Sequence, residues 1–368
     1  MKNLVLLLLM LGILACAGTP ESKEPAPEKP ANIILLIGDG MGLSAVSTSF
    51  YFGEGPSSFY RFKHIGMVKT SSATDKVTDS AASGTAMATG IKTYNKAIGV
   101  DTLKMPVTNI IEVVSQYGWS TGVVVTSSVT NATPASFYAH IEHRDLEDEI
   151  AVQLLDSEID FFAGAGIRFF NQRDDGQNLF GSAAEKGFVM DTTGLLQVGS
   201  LQADRKYGFL LSREGMPSML QGRGDFLPEA TSLALEQLSK DRDGFFLMVE
   251  GSQIDGFAHH NEADSLIAEM LDFEKTIAVA LDFAEKDGNT LVVVTADHET
   301  GGFALVEKKD EETGHKIPQE LGPAFATGGH SATLIPVFAY GPGASEFMGI
   351  YENTGLFHKM AALAGFTQ

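Results

Sequence analysis

Short apolar, β-rich runs recur along the chain, at Asn32 to Ile37, Thr121 to Ser127, Phe245 to Val249, Leu291 to Thr295 and Ile335 to Tyr340. Runs of this length without polar alternation suit strands covered on both faces, as in a parallel sheet. Between them the spacing changes to a helical period. Leu266, Met270, Phe273, Ile277, Leu281 and Ala284 fall on one stripe, which predicts a helix over Glu262 to Lys286 with that stripe in the core. Thr108 to Tyr117 and Pro228 to Lys240 read as further helices. Alternation of this kind predicts an α/β fold: a doubly wound, mostly parallel central sheet with helices on both faces. The irregular, Gly-richer stretch from Asp160 to Gly224 reads as an insertion near the site, and Lys308 to Gln319 as a solvated surface hairpin or loop.

Candidate chemistry gathers where these strands end. Glu250, Asp255 and His259 follow the third run, and Asp297 and His298 follow the fourth. Ligands in open α/β sheets bind beyond the strands' carboxyl ends, so these side chains converge on one rim. The first run enters Gly38-Asp39-Gly40-Met41-Gly42, which adds Asp39 to the candidate ligands. Alone, that segment also reads as a tight turn, and its glycines do not make a dinucleotide fingerprint. Thr78 to Ala86 is a polar turn entering very small residues. Ser80 there would sit near a helix start, where free N–H groups and the helix dipole favour an anion and help lower the hydroxyl's pKa. The plainer reading is that Asp79 or Ser80 caps the helix.

Composition narrows the class. A chain of 368 residues, 44% hydrophobic and 20% charged, fits one large α/β domain with insertions, expected over residues 31–368. The net charge of -21 argues against a nucleic-acid or anionic-membrane surface. An acidic protein still binds anions where metal ions and an arginine reverse the local potential. Lys2, the apolar Leu4 to Leu14 and the small residues after them read as an export signal over residues 1–17, too short to span a bilayer. Ile13-Leu14-Ala15-Cys16 resembles a lipoprotein box, while Ala15-Cys16-Ala17 also fits a small-x-small cleavage site. The lipoprotein reading is favoured, because Cys16 is the chain's one cysteine and Gly18 to Pro30 has the Pro, Glu and Lys content of a disordered tether.

Taken in order, Gly38-Asp-Gly-Met-Gly42, Asp79-Ser80-Ala81, Ile91-Lys92-Thr93 with Ile98-Gly99-Val100-Asp101, Ala132-Thr133-Pro134 with Arg144, Glu250-Gly-Ser-Gln-Ile-Asp255 with His259, Thr295 to Gly302, and Gly329-His330-Ser331 resemble the alkaline phosphatase family. The likeness is close to the compact bacterial enzymes of cold-adapted marine type and runs from about Asn32 to Gly343. It implies one zinc at Asp255, His259 and His330, and a second at Asp39, Asp297 and His298. A third ion, magnesium, is implied at Asp39, Thr133 and Glu250. It further implies Ser80 as nucleophile, Arg144 as the fork on the phosphoryl oxygens, small phosphate monoesters as substrates, and a homodimer. With the export signal, the expected location is extracytoplasmic: a periplasmic or outer-membrane-attached lipoprotein held through Cys16, or else a secreted soluble protein.

Two positions depart from the family pattern. Asn131 stands where relatives often carry Asp or His, and Gly256 replaces a basic or aromatic residue, so the mouth is expected to be more open and less positive. Phe257 either fills part of that gap or simply packs. Apart from the resemblance, Arg144 reads as a surface partner of Glu142, Asp145 or Glu147. His260, beside a ligand, would face about 100° away on a helix. His140 and His143 read as core, surface or second-tier residues; His64, His315 and His358 have no chemical context, and Thr300 reads as a turn or supporting residue. The alternatives are a phosphodiesterase or sulfatase-like hydrolase on the same fold, or a non-catalytic metal- or phosphate-binding lipoprotein. The presence of Ser80 with a full ligand set argues against the last.

Overall fold

The apolar runs form the middle of a ten-stranded sheet in the computed structural model, which describes residues 29–241, 243–310 and 312–366. The export signal, Cys16 and nearly all of the tether lie outside those residues. The strands are β1 (Asn32–Gly38), β2 (His64–Lys69), β3 (Ser120–Ser128), β4 (Phe161–Ala165), β5 (Phe188–Asp191), β6 (Lys206–Leu210) and β7 (Phe245–Gly251). They continue with β8 (Thr290–Thr295), β9 (Glu299–Thr300), β10 (Ala304–Lys309), β11 (Lys316–Ala324), β12 (His330–Ser331), β13 (Ile335–Tyr340) and β14 (Gly349–Glu352). The sheet order is β14-β2-β13-β8-β1-β7-β3-β4-β6-β5. Its described pairs are parallel except those of β13, which runs antiparallel to β2 and β8. The expected α/β class and mostly parallel sheet are what the chain adopts.

Every residue of β1, β7 and β8 is buried, which explains why these three were the plainest apolar runs. Alternation along β7 sends Phe245 to the ring of Phe283 on one face, and Phe246 to Phe137 on the other. The same alternation puts Glu250 on the Phe246 side. Gly251 falls on the Phe245 side, where a Cβ would come 2.8 Å from the Phe273 ring. The long helix spans Ala263–Asp287, and Phe226–Leu238 packs beside it; both lie over the central strands.

Thr108 to Tyr117 contains a shorter helix, Ile110–Ser115, because Asn109 and Glu112 form a capping box that starts it. The stretch from Asp160 to Gly224 is not merely irregular: it contributes β4, β5 and β6 to one side of the sheet. Those strands are short, β4 and β6 carry a glycine each, and pairing outward from β3 gives their backbone groups partners. The strands β2 and β14 were also not foreseen, since β2 is half exposed and β14 is an edge. Lys308 to Gln319 does lie in an exposed hairpin, β10–β11. Among the described residues, no helix is long and apolar enough to cross a membrane.

Candidate active site and metal centre

The register of the central strands builds the site. Ile37 pairs with Glu250 on one side and with Thr295 on the other, so β1, β7 and β8 end level. Neighbouring strands lie about 4.8 Å apart, and the acids just past their ends, Asp39 and Asp297, therefore meet Glu250. The turn after β1 is tight: Gly40 has φ +68°, and a Cβ there would lie 2.9 Å from both Asp255 Oδ1 and Thr300 Oγ1. A side chain at Gly40 would meet both a strained backbone and an occupied space. The Gly40 N–H donates to Asp297 Oδ1 at 3.0 Å, tying the first strand end to the third.

A short helix, Gln253–His259, follows β7 and presents Asp255 and His259 one turn apart. His259 Nε2 lies 3.3 Å from Asp255 Oδ2 and 3.1 Å from His330 Nε2, and His330 Nε2 lies 3.7 Å from Asp255 Oδ1. The three ligand atoms fit within 4.8 Å of one another, and so do atoms of Asp39, Asp255 and His298. Asp297 adjoins the second group: its Oδ2 is 3.1 Å from His298 Nε2, while Asp39 Oδ1 is 3.6 Å from that nitrogen. His298 and His330 stack with ring centres 3.5 Å apart. His259 and His330 are partly exposed, whereas Asp39, Glu250, Asp297 and His298 are buried, giving a dry floor under an open rim.

Ser80 begins the helix Ser80–Thr89, capped by Asp79 through the Ala82 N–H. Its Oγ lies 3.2 Å from His298 Nε2. The helix start and its cap thus coincide with a hydroxyl aimed into the cluster. Arg144 is not paired with Glu142, Asp145 or Glu147. Its Nη1 is 3.3 Å from Asp79 Oδ2, and its Nη2 donates to Asn131 Oδ1 at 3.4 Å. Glu142 takes Lys104, and Glu147 accepts from Thr130. Both Arg144 contacts are long and leave a planar donor fork beside Ser80's helix.

The donor set suits cations. Asp39 Oδ1, Thr133 Oγ1 and Glu250 Oε1 are buried oxygens without a hydrogen-bond partner. Buried polar atoms normally have partners, and a cation supplies one to several oxygens at once. Electrostatics agrees. Burial, then the charges of Asp297, Asp255 and Glu250, pushes the Asp39 carboxyl well above the usual range. Burial also drives Glu250 up to about 7, with Asp297 adding to the effect against the Ser252 hydrogen bond. Burial works against Asp297 too, but the His298 charge and hydrogen bond hold it low. At 4 Å, two like charges repel by about 4 kcal/mol at an effective dielectric of about 20, so a bare cluster of carboxylates resists full ionisation. Mixed imidazole and carboxylate donors fit zinc, and the all-oxygen group at Asp39, Thr133 and Glu250 fits magnesium.

Other expectations resolve individually. His260 turns its Nδ1 back to Gly256 O at 2.8 Å, and a Cβ at Gly256 would meet open space, as an open mouth requires. Phe257 packs against the core. His140 bonds Gly99 and Glu112, not Arg144. The Thr300 hydroxyl donates to Asp255 Oδ1 and lies 3.1 Å from His298 Nδ1. Asp79's double duty and the Asn131 contact to Arg144 were not foreseen. An acid directly before a serine at a helix start was the available signal for the first.

A metal-assisted hydrolase is the class that such a rim defines. The alkaline phosphatase family model matches residues 30–319, and the chain belongs to that family of metal-dependent phosphate monoester hydrolases. It is 32% identical to alkaline phosphatase 3 of Bacillus subtilis, covering 92% of this chain and 90% of that one. To the Escherichia coli enzyme it is 31% identical, over 94% and 89%. The solved alkaline phosphatase of the Antarctic bacterium TAB5 is 52% identical, with a TM-score of 0.91 over 93% of this chain and 100% of its own. A histidine-to-aspartate variant of that enzyme was solved with Mg bound in its M3 site.

Proposed function

We propose that the chain hydrolyses a broad range of phosphate monoesters outside the cytoplasm, through a covalent phosphoserine on Ser80. The observation that carries this reading is the Ser80 hydroxyl, 3.2 Å from His298 Nε2 at the capped start of a helix. Zinc at Asp255, His259 and His330, zinc at Asp39, Asp297 and His298, and magnesium at Asp39, Thr133 and Glu250 would supply positive charge for the attacking and leaving oxygens of an in-line displacement. The chain's own groups do the rest. The positive helix end favours both an ionised Ser80 and the phosphoryl group it attacks. Attack forms the Ser80 O–P bond and breaks the ester O–P bond, and the alcohol leaves with a proton from water. A water molecule then cleaves the Ser80 O–P bond, releasing inorganic phosphate and restoring the hydroxyl. Arg144, fixed by Asp79 on one side, offers two N–H groups to two non-bridging oxygens, which Lys cannot match.

Scope is broad because these contacts grip the phosphoryl group and little else, and the open space beside Gly256 supports it. We further assign residues 1–17 to an export-signal region of lipoprotein type, cleaved before Cys16 with lipid on that cysteine, residues 18–30 to a tether, residues 31–368 to one catalytic domain, and a homodimer to the working enzyme. Metal analysis of the purified protein, coupled to phosphate release from an aryl phosphate, tests the reading. Two zinc ions per chain with release support it; release without bound metal, or metal without release, rejects it.

A further inference from the structure

We propose that Thr300 is a positioning residue that joins the two zinc positions through a single hydroxyl, an inference that rests on the two-zinc reading above. Thr300 is 1% exposed, so its Oγ1 is served by protein groups. It has one proton and two acceptor lone pairs. The carboxylate of Asp255 can only accept. The Thr300 proton therefore goes to Asp255 Oδ1, and the oxygen is left to accept from His298 Nδ1 at 3.1 Å. A proton kept on Nδ1 leaves the His298 Nε2 lone pair for the side of the ring that faces Asp39, Asp297 and Ser80. One hydroxyl thus orients the carboxylate of one position and sets the tautomer of the imidazole at the other.

The backbone of Thr300 extends the same role. Its N–H donates to Gly40 O at 3.2 Å, next to Asp39, and it pairs with His330 across β9 and β12. The residue consequently touches every segment that carries a zinc ligand in this reading: the turn at Asp39, the helix with Asp255, the loop at His298 and the strand at His330. The space around it is tight, with Gly40 required so that Oγ1 and Asp255 Oδ1 can share the pocket.

Thr300→Val keeps the shape and deletes the hydroxyl, while Thr300→Ser keeps the hydroxyl. Each is stripped of metal and titrated with zinc against a chromophoric competing chelator, and the melting temperature of the metal-free form is recorded. Loss of an outer hydrogen bond typically weakens a metal by about 10- to 100-fold. The expected result is a loss of that size at both zinc positions for Thr300→Val, affinities near wild type for Thr300→Ser, and similar metal-free melting for all forms. Wild-type affinity in Thr300→Val, a loss at one position only, or equal losses in both variants would overturn the proposal. A wild type that takes up no zinc is a different failure: it removes the two-zinc reading, and this inference with it.

Discussion

Asp79 and Arg144 meet through Oδ2 and Nη1 at 3.3 Å, while the other Asp79 oxygen accepts the Ala82 N–H and caps the helix that begins at Ser80. One carboxylate therefore sets both the nucleophile's helix and the fork assigned to the substrate. The two duties separate by mutation. Asp79→Ala should cost about 0.5–2 kcal/mol through the lost cap, whereas Asp79→Asn keeps the cap through Oδ1 but replaces the oxygen that accepts from Arg144 and from the Lys96 N–H. Thermal melting should fall further for Ala than for Asn, which keeps the cap but loses the Lys96 N–H acceptor, while both variants change the inhibition constant for inorganic phosphate. Equal melting for Ala and wild type would deny the cap its role.

Arg144→Ala should reduce monoester hydrolysis much more than diester hydrolysis, because a diester lacks one of the charged oxygens that the fork would hold. A charge-assisted contact of about 2–3 kcal/mol corresponds to a loss of roughly 30- to 150-fold in kcat/KM. The comparison uses an aryl phosphate and its diester on the same preparation. Similar losses on both substrates would favour a diesterase.

Much of this was legible in the chain because buried parallel strands leave nearly unbroken apolar runs, and β1, β7 and β8 are buried throughout. Their ends announce the acids and histidines that follow. β4, β5 and β6 were not legible, since four or five residues, broken by glycine in β4 and β6, become strands only when each finds a neighbour in the series that starts from β3. Thr300 was read as a turn or supporting residue, but the partners it supports were not legible, for a similar reason. Asp255, which accepts its hydroxyl, lies 45 positions earlier, and only the pairing of β9 with β12, about thirty residues away, brings His330 to it. Arg144 was found through its spacing from Thr133, but its partner Asp79 is 65 positions earlier and no local pattern joins them.

Removing the metals should leave a protein that loses stability as pH rises. Glu250 is pushed up to about 7 from 4.5, and His259 up to about 9 from 6.5 through its Asp255 hydrogen bond. A raised folded pKa means that stability is full below the unfolded value and is lost as pH climbs through the folded one. Asp39 and His298 are shifted in the same direction, and His330 in the opposite one. Melting of the chelated protein should therefore fall between about pH 4.5 and 9, most steeply near 7 where the Glu250 and His259 windows meet and levelling off towards 9, and added zinc should flatten the profile. A metal-free melting temperature that rises over this interval would contradict the electrostatics of the cluster.

Asn131 caps Ala132 with its Oδ1 at 2.8 Å and accepts from Arg144 at 3.4 Å. Aspartate would keep the cap and add a charge near the position assigned to magnesium. Asn131→Asp should hold magnesium about 10- to 100-fold more tightly, and should slow turnover if phosphate release is limiting, because a firmer Arg144 retains product. Magnesium titration against activity in both forms checks this. An unchanged half-saturation would mean that position 131 does not influence that ion.

The central claim is that Ser80 becomes covalently phosphorylated during turnover. Wild-type protein mixed with labelled aryl phosphate and quenched at low pH should carry label on the peptide containing Ser80, while Ser80→Ala should bind zinc normally and carry none. Label on another residue, or hydrolysis by the wild type with no label trapped on Ser80 under these conditions, would contradict it.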